Sequence, residues 1–389
     1  MKTIRDFEDR LAGARVLMRV DFNLPMDKAT GRITNDLRIR MALPTIRFAV
    51  ERGARVILMS HLGRPKGKPN PDFSMKQVAE RLAELLGAPV AFAPDCVGPE
   101  AEAAVRAMKD GDVLMLENTR FHAGEEKNDP ELVRRLAALG DLFINDAFGT
   151  AHRAHASTAG VADHLPAAAG FLIEKEVNYL SRATQNPEHP YVAVMGGAKV
   201  SDKIKVIRNL LGKVDGMLIG GAMAYTFLKQ QGKGVGKSLV EEDRLEVAAE
   251  LLAEAGGKIL LPVDHVCARE IAPDAEAQVF EGEIPDGWIG LDIGPRTAAL
   301  YAERIRDAAL VTWNGPVGYF EIDQFAKGTE AIARAMAESN ATSIVGGGET
   351  AEAVEELGLQ DRISHVSTGG GASLEFLAGD TLPGIAVLE

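Results

Sequence analysis

The chain is 389 residues long, more than one hydrophobic core usually serves, so two domains of about 150–200 residues each are expected. It carries 43 Lys+Arg against 56 Asp+Glu, a formal net charge of −13, which argues against nucleic acid or an anionic membrane surface as partner. Its two cysteines, Cys96 and Cys267, match neither a disulfide framework nor a metal-binding spacing, its charged N-terminus lacks a signal-type apolar stretch, and no uncharged run could span a bilayer, so a reduced, cytoplasmic setting is expected.

In chain order, short apolar runs predict strands over 15–20, 55–59, 89–93, 113–116 and 142–145, with amphipathic helical windows over 40–52, 75–86, 99–108 and 131–139. This alternation is the rhythm of βαβ units and a largely parallel sheet. A helical pattern over 171–183, free of Gly and Pro inside and followed by Gln185-Asn186-Pro187-Glu188, marks the join between two halves. It suits a hinge helix, and an ordinary surface helix fits the same pattern. Beyond it, strands are predicted over 191–195, 216–219, 258–262, 310–313 and 343–345, with helices over 202–211, 241–255, 323–338 and 350–357. The expected class is α/β, with two Rossmann-like, doubly wound parallel-sheet domains joined by a hinge helix.

In open α/β sheets ligands bind beyond the carboxyl ends of the strands, which turns attention to the loops. Ser60-His61-Leu62-Gly63-Arg64-Pro65 follows the strand at 55–59, and Asp21-Phe22-Asn23 follows the one at 15–20. Arg38, Arg64, Arg120 and Arg153 each fall near a predicted strand or helix end. Any one of them reads equally well as a solvated surface charge, and Asp21 to Asn23 as an Asx turn. Four planar, five-donor guanidinium groups at corresponding junctions, with five of the eight histidines in the same half, point to a small, highly charged anion.

The second half is marked by glycine. Gly196-Gly197-Ala198-Lys199, Gly346-Gly347-Gly348-Glu349-Thr350 and Gly369-Gly370-Gly371 each follow a strand-like segment and precede a helical one. Glycine lets backbone approach phosphate closely, and a helix N-terminus offers free N–H groups. Tight βα turns also use glycine for geometry alone, but three such turns accompanied by lysines favour a nucleotide. Gly232 to Ser238 falls one residue short of a P-loop, and no G-x-G-x-x-G follows the first strand, so a dinucleotide dehydrogenase is disfavoured. A two-lobed anion-binding protein would use the same arginines but gives no role to the glycine turns and lysines.

Taken together, Val20 to Pro25, Ser60 to Pro65, Glu117-Asn118-Thr119-Arg120-Phe121, Ala151 to Ser157, Gly196 to Val200, Trp313-Asn314-Gly315-Pro316 and Ser367 to Ala372 closely resemble the phosphoglycerate kinase family, in the same order and along the whole chain. The resemblance implies reversible phosphoryl transfer from 1,3-bisphosphoglycerate to ADP, giving 3-phosphoglycerate and ATP, with Mg²⁺ accompanying the nucleotide, in a cytoplasmic monomer. Carried over by position, Asp21, Asn23, Arg38, His61, Arg64, Arg120 and Arg153 would bind the glycerate substrate. Lys203, Glu321, Gly347, Gly348, Glu349 and Thr350 would hold the nucleotide, and Arg38, Lys199, Lys203, Gly369 and Gly370 would stabilise the phosphoryl in flight. Glu349 stands where the family pattern has an aspartate that serves the metal. The resemblance also implies that the C-terminus returns to the first lobe, giving a substrate domain of 1–170 plus 372–389, a hinge over 171–185 and a nucleotide domain of 186–371. The acceptor carboxylate, of pKa about 3.5, is already ionised and needs no catalytic base, so positioning and electrostatics would carry the catalysis once the lobes close and exclude water.

Overall fold

A computed structural model describes residues 1–389. The chain divides into two compact units, Met1–Val177 with Thr381–Glu389, and Asn178–Asp380. The division falls inside the helix Phe171–Thr184, at the segment expected to join the halves.

The first unit contains the strands β1 (Arg15–Arg19), β2 (Arg55–Met59), β3 (Val90–Ala93), β4 (Val113–Leu116), β5 (Leu142–Asn145) and β6 (Ala167–Ala169). They form one sheet in the order β3-β4-β2-β1-β5-β6, parallel throughout. Both faces are covered, and the pleat shows it: Val16, Met18, Val56 and Leu58 enter one apolar cluster while Leu17, Ile57 and Met59 enter another. Burial on both sides is why these strands read as continuous apolar runs rather than as alternations. The same parity sends Arg19 to the face of Leu17, and it is fully buried there.

The second unit has the strands β7 (Tyr191–Met195), β8 (Gly216–Ile219), β9 (Ile259–Leu260), β10 (Asp264–Ala268), β11 (Ala277–Glu281), β12 (Ile289–Ile293), β13 (Leu310–Asn314), β14 (Thr342–Gly346) and β15 (His365–Val366). Six of them make a second parallel sheet, β15-β14-β13-β7-β8-β9, so two doubly wound α/β units are present. The other three form an antiparallel sheet, β11-β10-β12, that the sequence reading did not contain. The helices Met223–Gln230 and Pro295–Arg306 are likewise additional.

The return of the C-terminus starts later than 372. Helix Gly371–Leu377 lies with the second unit, where Asn209 Nδ2 donates to Leu377 O at 2.7 Å and Lys205 Nζ pairs with Asp380 at 3.2 Å. Only Thr381–Glu389 packs in the first unit. There Gly384 N donates to Ala151 O at 2.8 Å, and Asn145 Nδ2 to Gly384 O at 3.1 Å.

Candidate active site

In each sheet the chain reverses its winding direction beside the first strand, between β1 and β5 in one unit and between β7 and β13 in the other. Crevices open at the carboxyl ends of strands on either side of such a reversal, and the predicted residues lie there.

In the first unit Asp21 and Asn23 follow β1, and Arg38 sits in the first turn of helix Leu37–Glu51. Arg38 Nη1 donates to Asp21 Oδ1 at 3.3 Å and to Asn23 O at 2.9 Å. Gly63 joins these residues to Arg120: its N–H donates to Asn23 Oδ1 at 2.9 Å and its carbonyl accepts from Arg120 Nη1 at 3.3 Å. Only glycine serves at this junction, because φ is +62° and an added Cβ would lie 2.4 Å from the Phe73 ring. Arg153 stands close enough to Arg120 to oppose its charge. Arg64 is exposed, makes no hydrogen bond or ion pair, and is tied to this group only through the chain.

His61 is 3 % exposed and held from behind. Arg19 Nη2 lies 3.0 Å from His61 Nδ1. A guanidinium has no acceptor, so Nδ1 must accept and the ring proton resides on Nε2. Arg19 is fixed in turn by Ser157 Oγ, which accepts from Arg19 Nε at 2.8 Å and donates to Glu125 Oε2 at 2.7 Å. Burial, followed by the charges of Arg19, Arg120 and Arg38, pushes His61 ionisation well below its ordinary 6.5. His61 is therefore a neutral N–H donor with its tautomer set by Arg19. Long-range ¹H–¹⁵N correlation spectra should show the Nε2–H form persisting below pH 6.5, and a doubly protonated ring at that pH would contradict the assignment. Arg19, Glu125 and Ser157 were missed as site residues, although a charged side chain on the buried face of an apolar strand was a readable signal.

In the second unit the turns at Gly196-Gly197 and Gly315-Pro316 pack backbone against backbone. Gly196 N donates to Asn314 O at 2.9 Å and Gly197 N to Pro316 O at 2.9 Å, while Met223 N donates to Gly197 O at 3.1 Å. A Cβ on Gly196 would lie 2.1 Å from Pro316 O, and one on Gly315 2.3 Å from Gly196 O, so side chains are excluded there. Beside these turns Lys203 is 9 % exposed, and its ammonium donates to Asn314 Oδ1. Burial lowers its pKa to about 8, against the opposing pull of Asp202 and Glu349. Gly347, at φ +96°, leads into helix Gly348–Glu356, and buried Thr350 accepts from Gly315 N at 2.8 Å. Glu349 occupies the first turn of that helix, exposed.

Lys199 is exposed and makes no hydrogen bond or ion pair. Gly369 N donates to Ser367 Oγ at 3.1 Å, and Gly370, at φ +49°, caps helix Gly371–Leu377. Glu321 and Glu349 line a cleft of about 260 Å³ with Gly197, Gly221, Leu239, Ile271, Leu291 and Tyr319. Leu239, Ile271 and Tyr319 are 52 %, 50 % and 42 % exposed. The sequence reading missed this apolar lining, because its residues are scattered along the chain and share no period, and it gave Asn314, within the motif Trp313 to Pro316, no role of its own.

Known proteins match along this whole arrangement. The family model described as phosphoglycerate kinase covers residues 4–380. The phosphoglycerate kinase of Moorella thermoacetica is 57% identical over 390 residues, covering 99% of this chain and 98% of its own. That of Solibacter usitatus is 58% identical over 391 residues, covering 100% and 99%. The solved phosphoglycerate kinase of Coxiella burnetii superposes with a TM-score of 0.88 at 47% identity, over 97% of this chain and 96% of that one. The enzyme of Pyrococcus horikoshii OT3 gives 0.88 at 36% identity, over 100% and 98%. With its sequence matched from end to end and both of its parallel sheets in place, the chain belongs to the phosphoglycerate kinase family.

Proposed function

We propose that the first unit binds the triose acid and the second the nucleotide. Membership of the family makes the chain a phosphotransferase with a carboxyl acceptor, exchanging a phosphoryl group between 1,3-bisphosphoglycerate and ADP to give 3-phosphoglycerate and ATP. The observation that carries the division is a contrast of chemistry. Arg19, Arg120 and Arg38 put positive charge around the neutral donor His61 in one unit, with Arg153 near Arg120, whereas glycine backbone and one buried ammonium face the strand ends of the other.

In the first unit, Asp21 and Asn23 orient Arg38, and Asn23 with Gly63 orients Arg120, so the guanidinium groups meet phosphate and carboxylate oxygens already aimed. Arg64 and Arg153, exposed and without partners of their own, add mobile positive charge at the rim. His61 donates from Nε2 without adding a charge. In the second unit the apolar cleft suits the flat face of a base, with Glu321 at its polar side. Gly347, Gly348, Glu349 and Thr350 open a helix whose first N–H groups favour phosphate. Lys203, with Lys199 and the backbone at Gly370, would serve the transferring phosphoryl from the second unit, and Arg38 would serve it from the first. Because Gly369 N is already committed to Ser367, its own contribution is to shape that turn.

Mg²⁺ fits the residues present. The Glu349 carboxylate is a hard oxygen donor that makes no hydrogen bond of its own, beside glycine turns suited to phosphate, and Mg²⁺ takes one or two carboxylates with phosphate oxygens and water. When bound, the ion neutralises phosphate charge. Glu349→Ala should raise the Mg²⁺ concentration for half-maximal rate by about tenfold, read from metal titrations at fixed nucleotide. Superimposable curves would place the ligand elsewhere.

The acceptor carboxylate and the phosphoryl must approach to about 3–3.5 Å. Helix Phe171–Thr184, shared by both units, is the element through which we expect hinge motion to bring them there. Both cysteines are free, and no helix is long and apolar enough to cross a membrane; a monomer in the cytoplasm is the part of the reading that rests on the family resemblance alone. A coupled assay with 3-phosphoglycerate and MgATP tests the proposal. Turnover that requires both substrates is expected, and none would overturn it.

A further inference from the structure

We propose that Asp95, Cys96 and His122 form a binding site for a borderline divalent cation of the zinc type. None of the three is assigned a part in phosphoryl transfer, and all lie in the first unit. The fold brings them together because β3 and β4 are parallel neighbours, with Ala93 opposite Leu116. Asp95 and Cys96 follow the carboxyl end of β3, and His122 closes the turn after β4.

The donor atoms all lie within 4.8 Å of one another. Bonds of about 2.0–2.3 Å at tetrahedral angles set such atoms roughly 3.3–3.8 Å apart. His122 Nε2 and Asp95 Oδ1, now hydrogen-bonded at 2.7 Å, would separate by roughly 0.6–0.7 Å, and the sulfur would draw in. Side-chain adjustment covers both. Asp95 and His122 are 41 % and 30 % exposed on their side chains, so an ion reaches the site from that side and keeps a water as fourth ligand. Cys96, 0 % exposed, forms the floor.

Charge and donor type specify the ion. A carboxylate and a thiolate supply two negative charges and the imidazole none, so a divalent cation is balanced in place. Thiolate with imidazole selects a borderline ion over Mg²⁺, which prefers an all-oxygen shell. The Cys96 thiol gives up its proton as the metal binds, because the thiolate is the ligand. Binding exchanges the S–H bond for a sulfur–metal bond and releases that proton to solvent. The neutral imidazole moves its proton from Nε2 to Nδ1 and coordinates through Nε2.

Titration of the full-length protein with Co²⁺ tests the site. Wild type should develop a near-ultraviolet thiolate-to-cobalt charge-transfer band that saturates at one equivalent, with one proton released per ion. Cys96→Ser should lose the band, Cys267→Ser should keep it, and His122→Ala should weaken Co²⁺ binding about tenfold or more. Should Cys96→Ser fail to fold, the half-exposed His122 still decides: Zn²⁺ should raise the thermal midpoint of wild type but not of His122→Ala. Absence of the band, its survival in Cys96→Ser, its loss in Cys267→Ser, or equal Zn²⁺ stabilisation of wild type and His122→Ala would each overturn the proposal, leaving an aspartate–histidine hydrogen bond beside a buried thiol. Co²⁺ held by Glu349 and nucleotide produces no thiolate band and cannot imitate the expected result.

Discussion

Lys203→Ala should lower turnover by about 10³-fold and weaken ADP binding as well. The side chain is nearly buried against Asn314, beside turns where Gly196 and Gly315 leave no room for a side chain, so its ammonium is held in one place. Removing one cation from the surroundings of a transferring phosphoryl costs about 10³–10⁵-fold in related chemistry. The pH dependence is more diagnostic than the rate. Burial lowers Lys203 to about 8, so above that pH the ligand-free protein presents a neutral amine, and ADP affinity should fall by up to about tenfold per unit. The sign for stability is opposite. In the unfolded chain the amine titrates near 10.4, so the unfolded state binds more protons between about 8 and 10.4, and this residue's contribution to stability rises across that window. Lys203→Arg, which stays charged, should remove the alkaline fall in affinity. A fall of equal size in that variant would assign the titration to another group.

Arg38→Ala should abolish measurable turnover, a loss of about 10³-fold or more, while leaving ADP affinity within about twofold of wild type. Its guanidinium donates through one nitrogen to both Asp21 and Asn23 O, which leaves its other donors for substrate in a fixed orientation. Lysine offers a point charge without the planar fork, so Arg38→Lys should recover little of the rate. Steady-state kinetics in both substrates, with ADP binding followed by calorimetry, read the result. A variant that loses ADP affinity and keeps its rate would mean that Arg38 serves the nucleotide.

Much of the fold was legible because both sheets are buried on two faces. Runs such as Val16-Leu17-Met18 and Val56-Ile57-Leu58-Met59 feed one core cluster at even positions and the other at odd ones, so no polar residue interrupts them. The antiparallel sheet escaped for the opposite reason: four of the five residues of β11 are exposed, and neither an apolar run nor a clear alternation survives. Helix Met223–Gln230 buries every residue from Met223 to Leu228, which erases the polar face that a helical period needs. Helix Pro295–Arg306 did carry a start signal, Pro295 after Gly294, that went unused. The end of the second unit was misplaced because Asn209, whose side chain holds Leu377 there, is remote in sequence.

The candidate site could be read where the residues proposed for it lie close together in sequence. Asp21, Asn23, Arg38, His61 and Arg120 sit in short motifs at strand ends, and the structure links Arg38, Asn23, Gly63 and Arg120 by successive hydrogen bonds. Arg19 was passed over because one arginine at the end of an apolar strand looks like the start of a loop. Only the fold, by bringing Ser157 and Glu125 across 138 and 106 residues of chain, shows it as a buried support for His61. The apolar cleft has no motif at all, since it is assembled from Gly197, Gly221, Leu239, Ile271, Leu291 and Tyr319.

Separate calorimetric titrations of 3-phosphoglycerate and of ADP into wild type, Arg38→Ala and Lys203→Ala test the assignment of one ligand to each unit most directly. Arg38→Ala should weaken 3-phosphoglycerate binding and spare ADP, and Lys203→Ala should weaken ADP binding and spare 3-phosphoglycerate. Loss of the same ligand in both variants, or the reverse pairing, would contradict that division.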